Sequence, residues 1–503
     1  MIYSNSTPRL DLQQVLSAGI GCLQQGRLEE AWRAFAEVLN ADPNNALAHQ
    51  LCGLVLHQAG HAQDSIVALR RSIALNPRDA SAHNNLANVL RETGEYEEAL
   101  VSAERAIDLD RGLAEAKLTR ANILMDLGRP AESVEIYDKL LAARPAFAQA
   151  WNNRGNALSH LNRHAEAVKS FDRALALEPD VAEIRVNSGY AKLAVGDMEG
   201  GLEHFEWRWR NHVMQGYLQS RNFGAPFWRG EEPLDGRTLL LHSEQGFGDI
   251  LQFCRYAPLA AARGARVIVE VEAALVELMR TLPGVSEVVE FGQPLPAFDL
   301  HCPMMSLPYA FRTRLDSIPA QTPYLFADPA KIAAWAERLG PGTRPRVGLA
   351  WSSGVRPDQP ELRSVNGRRN IPLARLERLK GAPVELHSLQ KGQPAEGEFA
   401  ALDQSAWDGP PIVDWAPLLT DFSQTAALMA NLDLIVSVDT SIVHLAGALG
   451  RPVWVMARFD ACWRWLRDRD DSLWYPTARL FRQTSGGDWD GVLDRVLAAL
   501  DAL

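Results

Sequence analysis

The stretch "LDLIVSVDTSIVHLAGALGRPVWVM", Leu432 to Met456, decides the fold class of the second half of this chain. An apolar run ends at Val438 and predicts a buried strand. A short polar turn follows, then an apolar segment of helical character, and then a second apolar run, "PVWVM". Short apolar strands that alternate with helices indicate a parallel sheet covered on both faces.

The same alternation extends through the chain from Arg237 onward and forms two series. The first series contains "TLLLH", a helix expected over 250–263, "RVIVEV", "SEVVEF" and "DLHC"; the second contains "RVGLAW", "VELHSLQ", "DLIVSV" and "PVWVMA". The Pro/Gly-rich segment "LGPGTRPR" separates them. We therefore predict two Rossmann-like domains facing across a cleft, at residues 237–335 and 336–503, after a linker at 216–236.

The first two hundred residues carry a different pattern, with a step of 34 residues. Turn glycines, a proline and a buried aromatic recur in one frame, and Asn162 replaces the one missing glycine; the members are Gly26, Gly60, Gly94, Gly128, Gly196, Pro43, Pro77, Pro145, Pro179, Phe35, Tyr137, Phe171 and Phe205. This combination is typical of tetratricopeptide repeats. It predicts an all-α solenoid of about six helix pairs over residues 1–215, with a concave inner face.

The composition narrows the classes of partner. A net charge of -11 argues against nucleic acid or an anionic membrane surface as the main partner. The five cysteines are scattered, no His, Cys, Asp or Glu cluster has metal-ligand spacing, and no P-loop motif is present. No apolar run is long enough for a membrane span, and the N-terminal segment lacks a secretory pattern. We expect a cytoplasmic protein without a metal.

In open α/β sheets, ligands bind at the carboxyl ends of the strands. The first such loop is "LHSEQGFGDILQF", Leu241 to Phe253, in which Gly246 and Gly248 leave room for a ligand and Asp249 opens a helix. Asp249 is a candidate general base. On this motif alone, an ordinary helix cap is the simpler interpretation.

The second loop lies inside the opening stretch, where Asp439, Thr440 and Ser441 start a helix. The hydroxyls and the free amides of a first helical turn suit a phosphate or diphosphate, and His444 follows on the same face. The alternative is a capping group with a core histidine. Further polar residues follow other predicted strands, and these are Ser352, Arg369, Gln390 and Lys391. Together they predict a nucleotide-linked donor held mainly by the second domain, with a base from the first.

Asparagines recur in the first helices of the repeats. Two series share the 34-residue step, one of Asn85, Asn153 and Asn187 and another of Asn88, Asn122 and Asn156. An exposed amide can both donate to and accept from an extended peptide backbone. Alternatively, these amides join adjacent helices to one another.

The segments "EQGFGDILQFCRY", "HSLQKG", "DTSIVHLAGALGRPVWVM" and "WRWLRDRDDSLWYPTARLFRQ" resemble bacterial fusions of tetratricopeptide repeats with a glycosyltransferase domain. That domain is similar to lipopolysaccharide heptosyltransferases and to O-linked N-acetylglucosamine transferase. In the repeats, the segments "NNLAN" and "NNRGN" resemble the asparagine ladder of the latter enzyme. The resemblance implies a GT-B fold, inverting chemistry without a metal and no cofactor beyond a nucleotide-sugar donor. Some members look like flagellin glycosyltransferases that use a CMP-linked nonulosonic acid.

The resemblance also implies roles for individual residues. Asp249 matches the catalytic base, and Asp439, Thr440 and Ser441 match a donor-phosphate block in which glycine normally stands where this chain has Ser441. The acceptor would be Ser or Thr of a protein held by the asparagines, and since such solenoids often pair, a homodimer is an expectation. Two alternatives stay open: transfer to a lipid or oligosaccharide, and a non-catalytic scaffold.

Overall fold

The computed structural model describes residues 11–354, 362–403 and 407–503. Residues 1–10, where the sequence shows no secretory pattern, lie outside this part. By contact density the chain forms two compact units. The first comprises the described residues up to Leu161 together with Lys169–Pro179, and the second comprises Asn162–Val168 together with Asp180–Leu503.

Consecutive helices up to Phe205 form six antiparallel pairs, as the 34-residue step predicts. These helices, α1 to α12, are Leu12–Gln24, Leu28–Ala41, Ala46–Gln58, Ala62–Leu75, Ala80–Thr93, Tyr96–Leu109, Ala114–Asp126, Pro130–Ala143, Ala148–His160, His164–Leu177, Ala182–Ala194 and Met198–Phe205. Asn162 adopts a φ of 61°, in the left-handed region that the repeat glycines occupy, which confirms the prediction for this turn.

In the first, second and fifth pairs, a glycine on the first helix faces a larger side chain on the second, 16 positions later. A Cβ atom at Gly155 would lie 2.6 Å from Cε1 of Phe171, and one at Gly53 would lie 2.7 Å from Cγ of Leu69. Phe171 and Leu69 are fully buried. The glycines therefore set how closely the paired helices approach.

The second unit adds two parallel sheets to the sixth helix pair. The first sheet has the order β3-β2-β1-β4 and the second has the order β10-β9-β8-β5-β6-β7. Their strands, β1 to β10, are Thr238–His242, Arg266–Val271, Val285–Glu290, Leu300–Pro303, Arg346–Ala350, Glu385–Ser388, Ile412–Asp414, Leu434–Val438, Val453–Ala457 and Ala478–Arg482. The predicted fold class, a helical repeat region followed by an α/β part of the GT-B kind, is confirmed.

Helices α13 to α23 connect and cover these strands. They are His212–Arg221, Phe247–Phe253, Ala257–Ala262, Ala273–Met279, Leu307–Ala310, Pro329–Leu339, Leu362–Arg369, Ala395–Ala400, Phe422–Ala430, Ser441–Ala448 and Trp489–Leu500. The predicted linker at 216–236 begins inside α13. None of the described helices is both long and apolar enough to cross a membrane.

The helix expected over 250–263 is wrong in its bounds. The structure has α14, a 3₁₀ turn at Cys254–Tyr256, and then α15. Pro258 lies in the first turn of α15, where its missing N–H costs nothing, whereas a continuous helix would need that N–H in its interior. The break lets α14 end after seven residues.

Gly19 and Gly21 in α1 test the small-against-large rule within a single helix. A Cβ atom at Gly19 would overlap Cε1 of the buried Phe35, whereas nothing lies within 4 Å of one at Gly21. We expect Gly19→Ala to lower the free energy of unfolding by about 1–3 kcal/mol. Gly21→Ala should raise it by up to about 1 kcal/mol, because alanine favours a helix. Chemical denaturation followed by circular dichroism measures both, and equal changes would contradict the rule.

Candidate functional site at the carboxyl ends of two parallel sheets

Asp249 occupies the third position of α14, and its carboxylate caps no helix amide. Gly246 is the residue before the helix, and the Asp249 amide donates to its carbonyl oxygen at 2.9 Å. The capping interpretation of Asp249 is therefore wrong. Because 24 % of its side chain is exposed, the carboxylate remains open to a ligand.

Arg464 holds one oxygen of this carboxylate. Its Nη2 donates to Oδ1 of Asp249 at 2.5 Å, its Nη1 donates to Sγ of Cys462 at 3.0 Å, and its Nε donates to Oε1 of Gln252. Burial opposes the charged form of Arg464, but Cys462, Asp249 and Asp439 outweigh it and raise the pKa. The guanidinium therefore stays charged, and Oδ2 of Asp249 has no hydrogen-bond partner among the described residues.

The start of α22 lies against the start of α14. A Cβ atom at Gly248 would come within 2.9 Å of Cδ2 of His444 and 3.6 Å of Cα of Ser441. Gly248 thus allows these two helices, one from each sheet region, to touch. The space left by its missing side chain is occupied by His444 and Ser441, not kept free for a ligand as the sequence predicted. As a result Asp249 lies near Thr440 and Ser441, which the sequence places 191 and 192 positions later.

Thr440 precedes α22, and its hydroxyl caps no amide of that helix. Its Oγ1 lies 3.3 Å from Oγ of Ser437, and both Thr440 and Ser441 are half-buried. The capping interpretation of this hydroxyl is therefore wrong as well. Two hydroxyls beside the first turn of a helix are suited to an anionic ligand.

His444 belongs to the core. Its Nδ1 lies 2.9 Å from the Tyr475 hydroxyl, and its ring stacks on Trp465 with 5.8 Å between centroids. Burial lowers its pKa to about 3, although Asp439 raises it. The imidazole is therefore neutral at physiological pH, as expected of a packed core histidine.

Arg369 reaches the same loop. Its Nη1 donates to the carbonyl oxygen of Asp439 at 3.1 Å, and its Nη2 donates to Oδ1 of Asn366 at 2.6 Å. Burial lowers the pKa of Arg369, and Asp439 counteracts this. Its Nε is buried and has no partner among the described residues. Arg369 is therefore a cation placed beside the Asp439 turn.

Gln390, Ser352 and Lys391 have other contacts. Gln390 is buried, accepts from the amides of Trp351 and Ser352 and donates to the Ser352 carbonyl oxygen, so its amide joins the ends of β5 and β6. The Ser352 hydroxyl donates to the carbonyl oxygen of Ser353 at 3.2 Å. Lys391 donates to the Ala416 carbonyl oxygen at 2.8 Å and pairs with Glu396 at 3.3 Å. None of these contacts places Gln390, Ser352 or Lys391 beside Asp249.

The repeat asparagines divide into two kinds. Oδ1 of Asn88 accepts from Thr119, and Oδ1 of Asn122 accepts from Tyr137 and from Nδ2 of Asn153. The bonds from Thr119 and Asn153 span 31 residues and join neighbouring repeats. Among the described residues, Asn85 and Asn156 have no such partner, and both are half-buried. Asn187 is half-buried in α11.

A buried ionic cluster beside Asp249 was not predicted from the sequence. Arg208 donates to Glu244 at 2.9 Å and to Glu206 at 2.7 Å, and it also donates to the Ser306 hydroxyl at 2.7 Å. Burial raises the pKa of Glu244 to about 7, while Arg208 lowers it. Glu244 stands inside "HSEQGFGD", so the presence of a charged residue between an apolar strand and a glycine turn was the available signal. Among the described residues, no group of three or more His, Cys, Asp or Glu is placed to hold a metal.

The neutral His444 makes the second unit sensitive to acid. An unfolded imidazole has a pKa of about 6.5, so as the pH falls below that value the unfolded chain takes up a proton that the folded chain, with its pKa of about 3, does not. The contribution of the neutral His444 to the free energy of unfolding is fully present above about pH 6.5. By about pH 5, protonation of the unfolded imidazole lowers the free energy of unfolding by roughly 2 kcal/mol. Thermal unfolding above pH 6.5 and at about pH 5 should therefore show a smaller loss of stability on acidification for His444→Gln than for the wild type. An equal loss in the two proteins would contradict the assignment.

The families that match this chain also divide it into a repeat region and a glycosyltransferase-like region. Tetratricopeptide models match residues 68–101 and 118–206. The model of glycosyltransferase family 9 (heptosyltransferase) matches residues 400–455, which include Asp439, Thr440, Ser441 and His444 but not Asp249.

Protein FlbA of Caulobacter vibrioides is 28 % identical over 337 residues, which cover 61 % of this chain and 53 % of FlbA. The chain thus spans about half the length of this curated relative. Among solved structures, MamA is 27 % identical over 34 % of this chain and 92 % of its own, with a TM-score of 0.30. PilF of Pseudomonas aeruginosa is 18 % identical over 42 % of this chain and 97 % of its own, with a TM-score of 0.36. The chain therefore joins tetratricopeptide repeats to a region that matches glycosyltransferase family 9.

Proposed function

We propose that this protein is a glycosyltransferase that moves a sugar from a nucleotide-sugar donor to Ser or Thr of an acceptor protein. The observation that carries the proposal is the placement of Asp249, whose Oδ1 is held by Arg464, whose Oδ2 has no partner in the described part of the chain, and whose side chain is 24 % exposed. The first turn of α22, with Thr440 and Ser441, lies beside it. A fixed carboxylate next to an anion-binding helix start suits proton abstraction beside a phosphate leaving group.

In the proposed reaction, the donor phosphates rest on Thr440, Ser441 and the amides of the α22 first turn. Oδ2 of Asp249 removes the proton of the acceptor hydroxyl as its oxygen attacks the anomeric carbon. The bond from that carbon to the phosphate oxygen breaks, the configuration inverts, and the nucleotide leaves with the electron pair. Arg369, beside the Asp439 turn, offsets the charge that develops on the leaving group.

Arg369 is a better candidate for this role than Lys391. The Lys391 ammonium is already shared between Glu396 and the Ala416 carbonyl oxygen, and half of its side chain is exposed. Arg369 keeps a buried Nε without a partner among the described residues. Buried charge acts more strongly on a nearby phosphate than charge screened by water.

The finer identities extend the proposal. Resemblance to flagellin glycosyltransferases supports flagellin as the acceptor and a CMP-linked nonulosonic acid as the donor. A thermal-shift series with CMP-, UDP-, GDP- and ADP-linked sugars tests the donor, and intact-mass measurement of co-expressed flagellin tests the acceptor. Transfer to lipid with flagellin unmodified would support the lipid or oligosaccharide alternative. A chain that binds none of these nucleotides and adds no mass to flagellin would be a scaffold.

Asp249→Asn tests the base. The amide keeps the shape of the side chain and can still accept from Arg464, but it cannot take a proton. We expect sugar transfer to fall by about 100-fold or more, in a variant that still folds but melts at a lower temperature, because the buried charge of Arg464 loses its charged partner. Asp316→Asn, an exposed aspartate outside the site, is the matched control and should transfer normally. Transfer by Asp249→Asn at the wild-type rate would exclude the proposed base.

The repeat asparagines can be separated by the same assay. Asn85→Ala with Asn156→Ala removes amides that bond nothing in the described chain, so we expect a weaker acceptor interaction and a change in stability below about 0.5 kcal/mol. Asn122→Ala removes the acceptor for Tyr137 and Asn153 and should lower the stability by about 1–3 kcal/mol. Acceptor-dependent transfer and chemical denaturation measure the two effects. If the double variant transfers sugar at the wild-type rate, Asn85 and Asn156 do not bind the acceptor.

A further inference from the structure

Tyr190 continues one of the asparagine series. Asn88, Asn122 and Asn156 are spaced by 34 residues, and the next position in that frame is Tyr190 in α11. Asn187, the last member of the other series, lies three residues earlier and therefore on the same face of the helix. Both series thus end in the first helix of the sixth pair, which belongs to the same compact unit as the two sheets.

Helix α11 packs directly against the 3₁₀ turn Trp463–Trp465, which carries Arg464. Arg464, Arg208, Asp249 and Cys462 all act electrostatically on the Tyr190 hydroxyl. Tyr190 therefore lies on the helix that contacts the turn of Arg464, and Arg464 holds the carboxylate that we propose as the base. The Tyr190 ring is supported from one side by Phe205, with 5.3 Å between centroids and an edge-on arrangement.

Tyr190 is partly exposed on this helix. Its side chain is 42 % exposed, and burial raises its pKa to about 12, with Arg464 and Arg208 acting in the opposite direction. At physiological pH the phenol is protonated, so it offers a hydrogen-bond donor and an apolar ring face to a ligand.

We propose that Tyr190 binds the acceptor polypeptide beside the reacting Ser or Thr, with its ring packed on the acceptor chain and its hydroxyl donating to an acceptor carbonyl oxygen. This inference rests on the proposed function. A polypeptide suits the site because the proposed acceptor is a protein, and because an exposed aromatic ring with a phenol hydroxyl offers both an apolar contact and a hydrogen bond on the helix that contacts the turn of Arg464. The residue would position the hydroxyl at the carboxylate without taking part in the chemistry.

The test uses the full chain with purified flagellin as the acceptor probe and the donor that gives a thermal shift. We expect Tyr190→Ala to raise the acceptor KM about 10-fold and Tyr190→Phe, which keeps the ring, to raise it by a smaller factor. The affinity of each variant for the nucleotide, measured by calorimetry, should match the wild type. Val195→Ala, an equally exposed apolar residue at the end of α11, is the control and should leave the acceptor KM unchanged.

A second measurement does not depend on catalysis. A photoreactive benzoylphenylalanine at position 190 should crosslink to added flagellin, whereas the same group at position 195 should not. If the wild type modifies flagellin but Tyr190→Ala has the wild-type acceptor KM and no crosslink forms, this inference is wrong and the proposed function stands. If the wild type does not modify flagellin and the photoreactive group at position 190 does not crosslink to it, flagellin as the acceptor and the role of Tyr190 in binding it are both wrong. Transfer to lipid that Tyr190→Ala leaves unaltered would also overturn the role of Tyr190.

Discussion

The pairing of Asp249 with Arg464 is the interaction on which the arrangement of the candidate site depends. The two residues are 215 positions apart and come from different sheet regions of the second unit. Arg464 is nearly buried, so its charge requires partners, and it finds them in Asp249, Gln252 and Cys462. The centroids of the Phe253 and Trp463 rings lie 5.2 Å and 4.9 Å from its guanidinium carbon. Removing one member of such a pair commonly costs about 3–5 kcal/mol, because the other charge is left uncompensated.

The connection between β9 and β10, which carries Arg464, is held from several directions. The Asn162 side chain donates to the Phe459 carbonyl oxygen at 2.7 Å, and Arg467 donates to the same oxygen at 3.2 Å. A glycine at position 162 would serve the turn equally well but would leave this bond unmade. The one departure from glycine in the repeat frame is thus also a contact to the loop of the site.

Periodicity and strand-end rules were sufficient to predict both parts of the fold, and they selected the loops that contain Asp249, Thr440 and Ser441. These features depend on local sequence: a turn glycine, an apolar run or the first residues of a helix. The sequence did not reveal that Gly248 faces His444, or that the Gln390 amide is used to join two strands. Such contacts depend on which side chain arrives from a distant element, and a single sequence contains no record of that.

The same limit explains why the sequence predicted no role for Arg464 or Glu244. Their importance follows from desolvation, which is a property of the assembled core. The capping interpretations of Asp249 and Thr440 were wrong for a related reason. Local rules assign a polar residue near a helix start to the nearest amides, but tertiary partners supply a stronger competitor for Asp249.

The division between the compact units falls within α10, so the sixth helix pair and the start of α10 are part of the α/β unit, whereas the first four pairs, α9 and the rest of α10 are not. In repeat arrays, each helix pair is stabilised chiefly by its immediate neighbours. A change in the number of helix pairs before α9 would therefore leave the contacts of Asp249 with Arg464 in place. The number of repeats and the geometry around Asp249 are thus set by different parts of the chain.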